Sequence, residues 1–230
     1  MSPATPPATR STRPARPALT ALALAAGLLL AGCGGDAGAD PAAEGHDHST
    51  AAASVESTDD GTYKGLHLQT PYQKPEFALT DSTGAAFDFA DRTGAGPTLL
   101  FFGFTNCPDV CPTTMADIAV ALRQVDPAVA QETSVVFVTT DPARDTPEVL
   151  GEYLGRFDAD LATRFIGLTG DQDQIDQAQL AAGVPLAEDM GRTHSALLLL
   201  YGTDGQADVA FDAGNSGADI AHDLAVVAAE

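Results

Sequence analysis

Positive charge is scarce in this chain: 11 Lys and Arg stand against 32 Asp and Glu, a formal net charge of −21 at pH 7. A surface with that field repels phosphate backbones and anionic headgroups, which argues against nucleic acid as a partner. The imbalance otherwise serves solubility and says nothing about a site. Apolar runs long enough for a membrane span are missing as well. The stretch from Ala18 to Ala31 is broken only by Thr20, but a helix crossing a bilayer needs roughly 20 apolar residues. Cysteine is confined to three positions, Cys33, Cys107 and Cys111. No internal repeat is present. From Gly34 to about Gly61 large apolar side chains are almost absent, so this segment cannot bury enough surface to offset the entropy of ordering and reads as a tether.

What the N-terminus does contain is an export pattern. Arg10, Arg13 and Arg16 precede the short apolar run, the arrangement of a secretory signal. Leu30-Ala31-Gly32-Cys33 resembles the bacterial lipobox, whose cysteine receives a diacylglycerol thioether and becomes residue one once the signal is removed. The expected organisation is a lipoprotein signal peptide over 1–32, a flexible tether with lipidated Cys33 over 33–65, and a folded domain over 66–230. Several acyl chains anchor a protein stably where one does not. The expected location is therefore the extracytoplasmic face of the cell membrane. The anchored form carries 8 basic residues against 32 acidic ones, a net charge of −24. His46 and His48 in the tether offer two imidazoles to a metal, but without a rigid frame they lose ordering entropy on every binding event, and chance spacing is the simpler account.

The folded domain is expected to be α/β. Phe77 to Leu79 and Phe87 to Phe89 flank Asp81-Ser82-Thr83-Gly84 and predict a hairpin. Thr98 to Phe104 and Val135 to Thr139 are apolar without alternation, as in central strands buried on both faces. Between them, Met115, Ile118, Ala119 and Leu122 recur at helical spacing over Pro112 to Val125, giving a β-α-β unit with parallel strands. Thr146-Pro147-Glu148 opens a helix running to about Phe157. Phe165 to Leu168 predicts a short strand, and Thr169 to Ala182 a helix with Ile175, Ala178 and Leu180 inward. Ser195 to Tyr201 and Ala207 to Phe211 predict a second hairpin, followed by a helix near Asp219 to Ala228. A β-α-β half followed by a β-β-α half is the thioredoxin-like plan, here with peroxiredoxin-type extensions, a central mixed sheet flanked by helices.

Chemistry concentrates at Phe104-Thr105-Asn106-Cys107-Pro108-Asp109-Val110-Cys111-Pro112, where a strand ends and a helix begins. Cysteines four apart lie about one helical turn from each other, so their sulfurs converge. Unpaired N–H groups at the helix start stabilise thiolate and are expected to lower the thiol pKa; thiolate ligates metal or attacks disulfides. A purely structural disulfide here closes too small a loop to be a useful staple.

These residues, together with Asp141-Pro142-Ala143-Arg144-Asp145-Thr146-Pro147-Glu148, Gly167-Leu168-Thr169-Gly170 and Thr193-His194-Ser195, resemble the Sco (SenC) family of copper-binding proteins of cytochrome oxidase assembly. The resemblance spans most of the folded domain. It implies copper ligation by Cys107, Cys111 and His194, with Asp141 near the site and important for loading. Thr193 departs from the acidic residue that many members carry there, which bears on the histidine's surroundings and not on the ligand itself. Apart from the resemblance, His194 reads as a packed histidine, and Asp141 with Arg144 as a surface ion pair of small energy. His67 and His222 belong to no motif.

Two thiolates with one imidazole suit copper: soft sulfur selects Cu(I), and Cu(II) outranks competing divalent ions. Zinc is the rival, but a closed zinc site wants a fourth protein ligand. Two functions compete for the same residues. One is a metallochaperone that supplies the binuclear copper centre on the copper-bearing subunit of a respiratory oxidase. The other is a thiol-disulfide oxidoreductase acting on the oxidase cysteines through Cys107 and Cys111. An oxidising compartment makes either depend on an extracytoplasmic thiol reductant. A thiol peroxidase places Thr or Ser three residues before its cysteine, where this chain has Phe104 and Pro108. A monomer is expected.

Overall fold

The two apolar runs of the sequence lie side by side, and the rest of the domain is built outward from them. The structure, a computed structural model, describes residues 56–230 except 59, 95 and 190. The signal peptide, Cys33, His46 and His48 lie outside the described residues. In chain order the elements are β1 (Ser57–Thr58), β2 (Leu66–Gln73), β3 (Ala78–Asp81), β4 (Ala86–Asp88), α1 (Phe89–Arg92), β5 (Thr98–Gly103), α2 (Val110–Gln124), α3 (Pro127–Glu132), β6 (Ser134–Thr139), α4 (Pro147–Asp158), β7 (Ile166–Thr169), α5 (Gln172–Ala181), β8 (Leu198–Tyr201), β9 (Gln206–Phe211) and α6 (Gly217–Val227).

The described strands form one sheet in the order β1-β2-β9-β8-β5-β6-β7-β3-β4. β5, β6 and β7 run parallel, β8 lies antiparallel beside β5, and β9 pairs antiparallel with the far side of β8. This is the thioredoxin-like architecture expected from the element order. Side chains alternate across the central strands, so both faces bury apolar surface. Leu99, Phe101, Val135, Phe137, Leu200 and Phe211 face α2, α4 and α6. Leu100, Phe102, Val136, Val138 and Leu199 face the opposite layer, with Ile175 and Ala178 of α5.

Caps set the helix starts. Thr146 accepts from Val149 N–H at 3.4 Å, with Pro147 opening α4 as its fixed φ allows. Asp171 and Gln174 close a capping box, so α5 begins at Gln172 and not at Thr169, which ends β7. Leu180 was expected to face inward and instead is 55% exposed. Five residues on from Ile175 is about 140° around a helix, and Gln179 turns inward in its place, bonding Pro185 O at 3.0 Å. α2 starts at Val110, ahead of the expected Pro112, which puts Cys111 inside its first turn. Four elements, β1, β2, α1 and α3, have no counterpart in the sequence reading. α3 carries the same type of start as α4, Asp126 capping ahead of Pro127.

The N-terminal edge is held by one carboxylate. Asp223 of α6 is fully buried and accepts from Lys64 N–H at 2.8 Å and Gly65 N–H at 2.8 Å, while His222 Nδ1 lies 2.7 Å away. His222 thus packs beside a carboxylate. Asp223→Ala leaves those part-buried N–H groups without their carboxylate acceptor and is expected to cost about 1–3 kcal/mol. Urea unfolding would show the lowered midpoint, and amide exchange would show Lys64 and Gly65 losing protection first.

Candidate metal site

Three chain ends meet at one edge of the sheet. β5 and β6 are parallel, so both deliver their C-terminal ends there. β8 is antiparallel to β5, with Leu198 opposite Phe101, so the residues leading into β8 arrive at the same edge. The cysteine loop follows β5, the turn at Asp141 follows β6, and His194 precedes β8.

Cys111 is the inner of the two cysteines, at 0% exposure, and packs over Gly103. A Cβ at Gly103 would stand 2.9 Å from Cys111 Sγ and 2.9 Å from the Phe101 ring, so the sulfur occupies space that only glycine leaves open. Cys107 is half-buried. Its Sγ receives Cys111 N–H at 3.4 Å, a free N–H group of the helix start turned onto sulfur. His194 Nε2 lies 3.6 Å from Cys111 Sγ, across 83 residues of chain. His194 Nδ1 sits 2.9 Å from Ser195 O, which assigns the proton to Nδ1 and leaves the Nε2 lone pair facing the sulfurs. The ring is held edge-on by Phe101 and Phe104, with centroids at 6.1 Å and 5.6 Å. Among the described residues this is the one group of three Cys, His, Asp or Glu side chains with metal-ligand spacing, its donor atoms all within 4.8 Å of one another.

An ion bound at about 2.0–2.3 Å from each donor holds three donors about 4 Å apart, so the cluster has the dimensions of a three-coordinate site. Its electrostatics differ from the expectation for a helix start. Burial, reinforced by the neighbouring Cys107 thiol, pushes the Cys111 thiol up rather than down. Desolvation of the buried sulfur outweighs the favourable helix terminus. Burial likewise holds the His194 imidazole below its ordinary value, with the Ser195 carbonyl opposing in part. The Tyr153 hydroxyl of α4 is buried without a hydrogen-bond partner among the described residues. It is pushed up by burial first and then by the field of Cys111 and Cys107.

Asp141 is buried and paired with Arg144, which is exposed. It is not among the clustered donors. The turn it opens supplies a residue that sequence reasoning passed over. Asp145, at 1% exposure, accepts from Thr105 N–H at 2.9 Å, Thr105 Oγ at 2.6 Å and Thr139 Oγ at 2.6 Å. A buried carboxylate thus staples the cysteine loop to the end of β6. Its signal was available: it stands within the same acidic motif as Asp141, four residues on. Thr193 closes a backbone bridge with Glu188, donating and accepting at 3.2 Å and 2.7 Å, so at this position the backbone, and not a side-chain charge, shapes the approach to His194.

A family model described as SCO1/SenC matches residues 67–229. A Stutzerimonas stutzeri protein is 36% identical over 137 residues, covering 57% of this chain and 65% of that one. The mitochondrial SCO1 homolog of Homo sapiens is 30% identical over 148 residues, covering 61% of this chain and 48% of its own length. The chain thus spans less than two thirds of the length of either relative. Among solved structures, Bradyrhizobium japonicum ScoI with copper bound is similar at 32% identity and a TM-score of 0.55, covering 69% of this chain and 98% of that one. Yeast Sco1 with copper bound is similar at 27% identity and a TM-score of 0.59, covering 67% of this chain and 87% of that one. Since the match runs from β2 through the end of α6, this chain belongs to the SCO1/SenC family.

Proposed function

We propose that this protein binds copper through Cys107 Sγ, Cys111 Sγ and His194 Nε2 and carries it as cargo to the copper-bearing subunit of a respiratory cytochrome c oxidase. The observation that carries the reading is the convergence of two thiols and one tautomerically oriented imidazole at a partly open edge of the sheet. Soft sulfur donors favour Cu(I). No fourth donor stands in the cluster among the described residues, which disfavours a closed zinc site. Relatives with copper bound support the choice of metal. An open three-donor site suits release, because an incoming ligand from the recipient can enter the coordination sphere before the outgoing one leaves. Delivery to an oxidase rests on family membership.

Under the same proposal, residues 1–32 direct export, Cys33 is lipidated, and the part of the 33–65 segment that precedes β1 tethers the domain at the extracytoplasmic face of the membrane, since Ser57–Thr58 already pair with β2. An extracytoplasmic thiol reductant keeps the cysteine pair reduced, since an oxidised pair cannot present two thiolates. Asp141 acts on loading through the turn it opens and not as a ligand.

A second reading, thiol-disulfide exchange on the oxidase cysteines, is favoured by one feature: Cys107 is partly open while Cys111 waits behind it one turn away. Cys107 would then form the mixed disulfide and Cys111 resolve it.

Competition against a Cu(I) chelator tests the main reading. Cys107→Ser and Cys111→Ser are each expected to lose tight binding, and parent-like affinity in both would refute the site. His194→Ala separates the two readings: lost loading and delivery with intact disulfide exchange supports the carrier, whereas unchanged oxidase assembly supports the reductase. Timed alkylation of the reduced protein is expected to modify Cys107 well before Cys111, read by mass spectrometry of the peptides. Labelled fatty acid is expected to enter the parent and not Cys33→Ser; equal labelling of both refutes the anchor.

A further inference from the structure

We propose that Thr140 is the positioning residue that holds His194 at coordinating distance from the cysteine pair, an inference that rests on the copper reading above and deepens it.

Thr140 directly follows β6 and is fully buried. Its backbone N–H donates to the Gly103 carbonyl at 2.6 Å, locking it to the last residue of β5, from which the cysteine loop departs. Its hydroxyl lies 2.7 Å from Gly191 O and 3.2 Å from Gly103 O. A hydroxyl has one proton to give, and the shorter contact takes it, so the Thr140 hydroxyl donates to Gly191. Thr140 therefore grips the cysteine side of the site with its main chain and the histidine side with its side chain.

The histidine side is built to receive that grip. Gly191 has φ +85°, and a Cβ there would stand 1.9 Å from the Thr140 carbonyl oxygen, so the loop backbone rests directly on the backbone of Thr140. Backbone bonds between Glu188 and Thr193 close the 188–193 turn into a unit, and Arg192 binds Asp189 at 2.9 Å within it. His194 is the next residue. Among the described residues, the Thr140 to Gly191 contact is the one hydrogen bond joining this closed turn to the ends of β5 and β6. Moving Gly191 off Thr140 shifts the whole turn, and the imidazole moves with it. The loss of this bond therefore acts on the His194 Nε2 to Cys111 Sγ separation, leaving Cys111 in place on α2 and Cys107 in the loop that the Asp145 staple holds.

Three substitutions in the full chain test this. Thr140→Val keeps the shape and removes the hydroxyl, Thr140→Ser keeps the hydroxyl, and Gly191→Ala lifts the loop from the other side. In the metal-free reduced protein, NMR of the His194 imidazole is expected to show a shifted, exchange-broadened resonance in Thr140→Val and Gly191→Ala, and a parent-like one in Thr140→Ser. Affinity for Cu(I), measured with a competing chelator, is expected to fall about 10-fold to 100-fold in the first two variants, the usual range for losing a partner that orients a ligand. The Cu(II) spectrum is expected to move toward that of His194→Ala, and the serine variant to restore both readouts. Parent-like imidazole signals and affinity in folded Thr140→Val overturn the inference. If the valine variant does not fold, the same parent-like result in Gly191→Ala overturns it. His194→Ala binding copper as tightly as the parent would overturn the copper reading instead, and the metal-free imidazole signals would still decide the role of Thr140.

Discussion

The pairing of β5 with β6 on one side and β8 on the other is the constraint from which the site follows. Parallel pairing with β6 carries two loop starts to one edge of the sheet, and antiparallel pairing with β8 turns a third segment back to that edge. Each pairing is stabilised by apolar side chains buried on both faces, so the relative position of the strand ends is set by the core and not by the polar residues at the rim. The loops then need only short-range devices to finish the geometry. Asp145 staples the cysteine loop to Thr139, and Thr140 meets the histidine loop at Gly191. Both devices spring from the same end of β6.

Burial gives the site its electrostatic character. A lone charge inside a protein is costly, and both inner groups respond in the direction that keeps them neutral: the Cys111 thiol holds its proton and the His194 imidazole declines one. A cation held by the two sulfurs would take the place of protons and stabilise thiolate where water cannot. Burial thus favours the neutral form of both Cys111 and His194. Cys107 is the more open of the two sulfurs, half-buried where Cys111 is fully buried.

The legible parts of the fold were those encoded locally. The central strands announced themselves as unbroken apolar runs, α4 by its threonine and proline, and α2 by the spacing of Met115, Ile118, Ala119 and Leu122, all buried. The short elements β1, α1 and α3 escaped because two to six residues carry too little periodicity to register, and the longer β2 contains a proline and a register shift against β9. The inward assignment of Leu180 failed because hydrophobicity was read without the angle it subtends on the helix. The lowered thiol pKa failed for a related reason: a helix terminus is visible in a sequence, whereas the depth at which a particular sulfur is buried is not.

Sequence alone determined the donor types, the pairing of Cys107 with Cys111 through helical spacing, and the family, because those depend on residue identity and on distances of a few positions. It left His194 indistinguishable from an ordinary packed histidine, apart from the resemblance. Only the tertiary structure decided that this imidazole, 83 residues away, points Nε2 at Cys111. The same is true of Asp145 and Thr140, whose partners Thr105 and Gly191 lie 40 and 51 residues distant. Contacts of that kind are made by strand order, and strand order is fixed by the collective burial of a core that no single segment specifies.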